Sequence, residues 1–196
     1  LLALLSPALQ AQSQSLHFRN LTAKVSHQPD IQLPQAAFEL SDQHYYGLLV
    51  FATTPNEKRK QALTKQGVQF SAYLPNNAFY VRMNVTALAA IQRDRADILA
   101  LVPVAPAFKL SHALLEGSLH SDCFRPDGKV MATMHLHAGA DISTLQSRLP
   151  SLELLSNEMG TDAYPIALPA DDFQQLASFP SVLFLEEIDR PGEAEN

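Results

Sequence analysis

Two stretches of the chain carry the same succession of apolar runs and apolar–polar alternation. The first opens with Tyr46-Gly47-Leu48-Leu49-Val50-Phe51-Ala52, a continuous apolar run of strand length. In Thr54-Pro55-Asn56-Glu57, Thr54 is placed to cap the N–H of Glu57, with Pro55 at the first helical position, where no donor is needed. The helix is predicted to reach about Gln66 and stop at Gly67, which accepts a left-handed conformation. Val68 to Tyr73 alternates as a half-buried strand does, and Leu74-Pro75-Asn76-Asn77 reads as a turn. The next alternation puts Phe79, Val81 and Met83 on one side and Tyr80 and Arg82 on the other. Thr86 to Gln92 predicts a short helix with Leu88 and Ile91 on one face, and Ile98 to Val102 a closing buried strand.

The order returns further on. From Lys129 to His137, Val130, Ala132, Met134 and Leu136 alternate with Met131, Thr133, His135 and His137. Asp141 caps a helix with Ile142, Leu145 and Leu149 as its apolar positions. Leu152 to Met159 predicts a strand and Gly160 a turn; Ala163 to Leu168 is the next strand. Ala170 to Phe179, with Phe173 and Leu176, is a helix, and Val182 to Leu185 closes the set. Tyr46 stands as far before Val130 as Ile98 stands before Val182, so the register is held. The expected fold is α+β: two tandem ferredoxin-like β-α-β-β-α-β modules, each an antiparallel four-stranded sheet with two helices on one face. Such a sheet leaves its other face open, and a domain of this size is only marginally stable alone.

These patterns divide the chain into a signal-peptide remnant at 1–11, a disordered leader at 12–44, a first module at 45–110, a linker at 111–128, a second module at 129–190 and a tail at 191–196. Residues Leu1 to Ala11 are apolar and end on a small residue before Gln-Ser-Gln-Ser, the order expected at the end of a signal peptide, and are too few to span a membrane. The leader is polar, without a sustained period, and interrupted by Pro29 and Pro34. A secreted or periplasmic location follows from the signal reading.

Charge narrows the function. The net charge of −6 argues against a nucleic-acid partner. The one basic cluster, Lys58-Arg59-Lys60 with Lys65, reads as a solvated helix face. Cys123 is the one cysteine, so no intrachain disulfide or Cys-x-x-Cys site exists; an inert thiol in a linker is expected. His135-x-His137 puts two imidazoles on one strand face, but no third ligand has metal-site spacing, so neither metal nor cofactor is expected. Two histidines near neutrality on one face also suggest a docking surface that responds to pH. Ser111-His112 and His120-Ser121-Asp122 hold the residue types of a hydrolytic triad in a Pro-flanked linker without a rigid scaffold, so no catalytic residue is assigned. Glu186 and Glu187 are neighbours on a strand and point to opposite faces. Asp171 and Asp172 offset a helix dipole. Asn20-Leu21-Thr22 and Asn84-Val85-Thr86 match the glycosylation triplet, although Asn84 and Thr86 more simply start a helix. An acyl-phosphate hydrolase on this fold would want an Arg and a phosphate-cradling loop after the first strand; Ala52-Thr53-Thr54-Pro55 offers neither Arg nor glycine.

The stretch Tyr45–Leu110 resembles propeptides found ahead of bacterial subtilisin-like proteases. The resemblance is carried by Leu48-Leu49-Val50-Phe51, Gln66-Gly67-Val68, the run from Tyr73 through Pro75-Asn76-Asn77 to Arg82, and Pro106-Ala107-Phe108-Lys109-Leu110. The second stretch, Lys129–Ile188, fits the family's shape with weaker motif identity. The resemblance implies a non-enzymatic region that helps its protease fold and inhibits it until cleavage. It implies a subtilisin-like catalytic domain as partner, in cis downstream of Asn196. It further implies that open sheet faces dock on the protease: Tyr73, Tyr80 and Arg82 in the first module, and Met131, Thr133, His135 and His137 in the second. The cleft-binding tail would be Glu187, Ile188, Asp189, Arg190, Pro191 and Gly192, leading to Glu193–Asn196. The rival reading is a freestanding secreted protein- or peptide-binding module of paired domains.

Overall fold

The computed structural model describes residues 13–19, 21–28, 38–39, 43–156 and 162–188. The expected signal remnant, Asn20 of the first glycosylation triplet, the turn at Gly160 and the tail from Asp189 onward lie outside the described residues. The chain is α+β and divides into two compact units, Leu1–Pro103 and Val104–Asn196.

In the first unit, β4 (His44–Phe51) lies at the centre of an antiparallel sheet. On one side it pairs with β6 (Ala78–Asn84), which pairs in turn with the edge strand β5 (Val68–Leu74). On the other side β7 (Ile98–Val102) pairs with Leu48–Phe51, and the short β3 (Phe38–Glu39) with His44 and Tyr45. Helices α1 (Glu57–Lys65) and α2 (Val85–Arg93) connect β4 to β5 and β6 to β7. The cap of α1 is Asn56, whose Oδ1 accepts from Arg59 N at 2.9 Å, two residues later than the expected Thr54. Gly67 follows α1 at φ +99°, as its position predicts. Asn84 caps α2, its Oδ1 accepting from Ala87 N at 2.9 Å.

Leu49 and Phe51 of β4, Val81 and Met83 of β6, and Leu101 of β7 pack against Leu63 of α1 and Leu88 and Ile91 of α2. Gly47 shares their face, where the end of β7 passes so close that a Cβ would meet Val102 O at 2.6 Å. Gly47→Ala is therefore expected to cost about 1–3 kcal/mol, read as a lower urea midpoint with an unchanged slope.

The opposite face of this sheet is also buried, which corrects the expectation of an open side. Tyr46, Leu48, Val50 and Ala100 are sequestered there. The reason lies in the supposed leader, which folds into a hairpin of β1 (Ser13–His17) and β2 (Thr22–Ser26). Cross-strand pairing puts Gln14, Leu16, Ala23 and Val25 on one hairpin face, and Leu16 is fully buried. Ser13, His17, Thr22, Lys24 and Ser26 face outward and are exposed. The hairpin is tied down at the middle of β1 and just beyond β2. Asn76 of the β5–β6 turn donates to Ser15 O. Gln28 N donates to Leu99 O at 3.0 Å, and Leu101 N to Gln28 Oε1 at 3.2 Å. Sequestering two aliphatic side chains of this kind contributes about 1.5–3 kcal/mol each, enough to hold a short hairpin that would not persist alone.

The basic cluster is not wholly solvated. Arg59 Nε and Nη2 donate to the two Asp97 oxygens at 2.9 and 2.7 Å, and Nη1 to Asp94 Oδ2 at 2.7 Å. This fork joins α1 to the α2–β7 connection, and the Asp97 bonds raise the Arg59 pKa above its ordinary value. Because Asp94 is open to water, Arg59→Ala is expected to cost only about 1–2 kcal/mol in chemical denaturation, with Arg59→Lys restoring less than half.

The second unit repeats the strand order. β8 (Val130–Leu136) sits between β11 (Val182–Glu187) and β10 (Ala163–Leu168), and β9 (Glu153–Leu154) pairs beyond β10, all antiparallel. The expected strand from Leu152 is short among the described residues. Asp141 caps α4 (Ile142–Arg148), as expected. A 3₁₀ turn over Ala170–Asp172 leads into α5 (Phe173–Ser178), and Asp172 accepts from Ser151 Oγ at 2.6 Å. Leu145, Leu149, Phe173, Leu176 and Ala177 pack on Val130, Ala132, Met134 and Leu136.

The expected linker belongs to this unit. Lys109–Ser111 runs beside β11, with Leu185 N donating to Lys109 O at 2.7 Å and Ser111 N to Leu185 O at 2.8 Å. Helix α3 (His112–Glu116), capped by Ser111 and closed by Gly117 at φ +69°, follows. Leu110 and Cys123 are fully buried in the same core as β8. An apolar residue every few positions from Leu110 through Leu114, Leu115 and Leu119 supplies the reason: the segment has its own side to bury.

Candidate functional site

The strict alternation of β8 makes one sheet face of the second unit differ from the other. Val130, Ala132, Met134 and Leu136 are buried beneath the helices, while Met131, Thr133 and His135 are half-exposed on the far side. Register sets their neighbours. Phe184 and Glu186 of β11 lie opposite His135 and Thr133; Ala163, Pro165 and Ala167 of β10 lie opposite His135, Thr133 and Met131. All of these except Ala167 are half-exposed. The result is a mainly apolar face holding one polar pair. His135 Nε2–H donates to Glu186 Oε1 at 2.7 Å, with both side chains about 30% exposed, a geometry that leaves each reachable by a partner.

His137 is not part of this face. β8 ends at Leu136, the chain turns, and His137 is 2% exposed, its backbone N–H donating to Ser181 O at 3.0 Å. The two imidazoles therefore do not share a surface, which removes the two-histidine metal and pH-sensing arrangements. Among the described residues no group of three His, Cys, Asp or Glu side chains is placed to hold a metal ion.

The residues expected to dock in the first unit are divided. A β-bulge between Phe70 and Tyr73 inserts an extra residue into β5, so Tyr73 pairs with Phe79 and lies on the helix side. The ring centroids of Tyr73 and Phe79 are 5.1 Å apart, and Tyr73 is 54% exposed. Tyr80 and Arg82 do point to the far face, opposite Leu48 and Tyr46, but that face is the one facing the hairpin. Burial pushes the Tyr80 phenol up to about 12, with the charge of Arg19 at the hairpin tip opposing it. Arg82 Nε donates to Tyr46 Oη at 3.0 Å, and Nη1 to Gln69 Oε1 at 3.2 Å. These two side chains therefore serve the fold of their own unit.

The start of the expected cleft-binding tail is likewise held in the fold. Glu187 accepts a hydrogen bond from Ser111 Oγ, and Ile188 packs on the second core while its carbonyl accepts from His120 Nε2 at 3.2 Å. Asp189, Arg190, Pro191 and Gly192 lie outside the described residues.

The Ser, His and Asp residues near Cys123 have local roles. Ser111 caps α3, and His112 pairs with Glu116 at 3.2 Å on its surface. His120 Nε2 approaches Cys123 Sγ at 3.1 Å. The thiol is buried, and burial, then the charge of Glu187, pushes its pKa up, which makes it a poor nucleophile near neutral pH.

Sequence reasoning found Met131, Thr133 and His135 but missed Phe184, Glu186 and Pro165 beside them. A regular period-two count from the buried Val182 would put Phe184 on the helix side; the register shift in β11 between the two is what brings Phe184 opposite His135 on this face. No helix among the described residues is long and apolar enough to cross a membrane.

One family profile, described as a domain of unknown function (DUF8729), matches residues 10–105. Its span includes the hairpin and runs through β7, so it follows the first unit rather than the module boundary at Tyr45. No curated protein and no solved structure matches the chain.

Proposed function

We propose that this chain is the non-catalytic propeptide region of an exported subtilisin-like serine protease, acting as intramolecular chaperone and inhibitor. Each unit is read as a ferredoxin-like module, a reading supported by the shared order in which the fourth strand lies beside the first, then the third, then the second. One observation carries the docking role: the helix-free face of the second sheet, where Met131, Phe184 and Pro165 surround the His135–Glu186 pair. An apolar centre with a partly shielded polar pair matches the make-up of a protein interface core. The partner is the catalytic domain of the same precursor. The segment from Asp189 to Gly192 is proposed to enter the cleft, adding as an extended strand along its edges. Glu187 and Ile188 remain with the second sheet.

The covered sheet of the first unit favours one alternative, a freestanding secreted binding module, because half the expected docking surface is used internally. The coding sequence after Asn196 discriminates: a protease domain in frame supports the propeptide, and a stop codon supports the module. The functional test is inhibition. The purified chain is expected to slow peptide hydrolysis by the cognate subtilisin-like protease competitively, with an inhibition constant of about 1 μM or below. Unchanged hydrolysis at about 10 μM chain would rule the reading out.

A further inference from the structure

We propose that the groove between α1 and β5 in the first unit is a separate binding site, for an extended peptide segment that carries a large apolar side chain beside a carboxylate. The site is independent of the second sheet's docking face and of any protease.

The groove has a volume of about 640 Å³, within the range of about 300–1,000 Å³ typical of ligand sites. Its floor is aromatic. Phe70 and Phe79 meet edge to face at 5.5 Å, and Tyr73 joins them because the bulge turns it onto the helix side. An unbulged strand would have sent Tyr73 to the other face; here it lies beside the groove with more than half its surface in water. Covering that surface is the apolar gain available to a ligand.

The charged lip selects the ligand's sign. Its charged residues are Lys60, Lys65 and Glu57, two cations to one acid, in a chain of net charge −6. Lys60 Nζ stands 2.9 Å from Glu57 Oε2 and 6.0 Å from the centre of the Phe79 ring, so it overlooks the aromatic floor. A carboxylate entering beside an apolar side chain would meet this ammonium. The bulge that exposes Tyr73 also interrupts the regular edge of β5, so main-chain strand addition is disfavoured and side-chain recognition dominates.

The test uses the full chain and two probes, acetyl-Asp-Leu-Phe-Glu-amide and acetyl-Lys-Leu-Phe-Lys-amide, followed by amide chemical shifts and calorimetry. The acidic peptide is expected to bind with a dissociation constant on the order of 100 μM, shifting amides of α1 and β5. Lys60→Glu and the exposed-site variant Tyr73→Ser should each weaken it about tenfold, and the basic peptide should bind at least tenfold more weakly. Equal binding of the two peptides, shifts confined to other elements, or full affinity in Tyr73→Ser would overturn the proposal. So would absence of binding at about 5 mM peptide, or a dimer in sedimentation that occupies the groove.

Discussion

Replacing Leu16 with aspartate is expected to unfold the first unit. Leu16 is fully buried although it sits in a segment whose neighbours are Gln, Ser and His. Its hairpin presents few apolar side chains, so each must cover a large share of the sheet face formed by Tyr46, Leu48, Val50 and Ala100. Truncating such a leucine costs about 2–5 kcal/mol, and placing a carboxylate there adds the penalty of a charge without a partner. Small domains hold a margin of about 5 kcal/mol or little more, so the loss is comparable to the whole. Hydrogen exchange should show the amides of β4 and β7 losing protection together. Lys24→Asp, on the outer face of the same hairpin, should cost no more than about 0.5 kcal/mol. Equal small losses in the two variants would mean that the hairpin rests on the sheet without supporting it.

Trimming Met131 and Phe184 together to alanine should raise the inhibition constant against the protease by about 100-fold, some 2.7 kcal/mol. Both side chains are half-exposed on the helix-free face of the second sheet, so the fold should tolerate their loss with a melting shift of only a few degrees. The apolar side chains at the centre of an interface carry most of its energy, whereas rim contacts add little. Tyr80→Phe supplies the contrast. Tyr80 faces the covered side of the first sheet, so its variant should inhibit as the parent chain does. A double variant of unchanged potency, or a Tyr80 variant of reduced potency, would assign docking to the wrong unit.

The sequence reading worked where one period governed a whole element. The alternation of β8 placed Met131, Thr133 and His135 correctly, and Asn84, Asp141 and Gly67 marked helix ends through local backbone chemistry. It failed where an inserted residue or a distant partner decided the outcome. The bulge in β5 reverses Tyr73 without altering the composition of the strand. The Arg59 fork depends on Asp94 and Asp97, more than thirty positions away. The hairpin escapes a reading by pattern because Leu16 and Val25 are the buried residues of its strands, too weak an apolar signal to stand out from polar surroundings. His137 fell one residue past the end of its strand, where the period no longer applied.

The bonds from Gln28 to the last strand of the first unit have a bearing on how the chain is made. Leu101 and Gln28 are 73 positions apart, so the hairpin closes onto a strand synthesised much later than itself. At about 5–20 residues per second, ribosomes would leave the hairpin waiting on the order of 4–15 seconds for that strand. From the synthesis of β4 until that point the strand lacks its β7 neighbour, so the pairing of Leu48–Phe51 with β7 and the bonds of Gln28 can form only late.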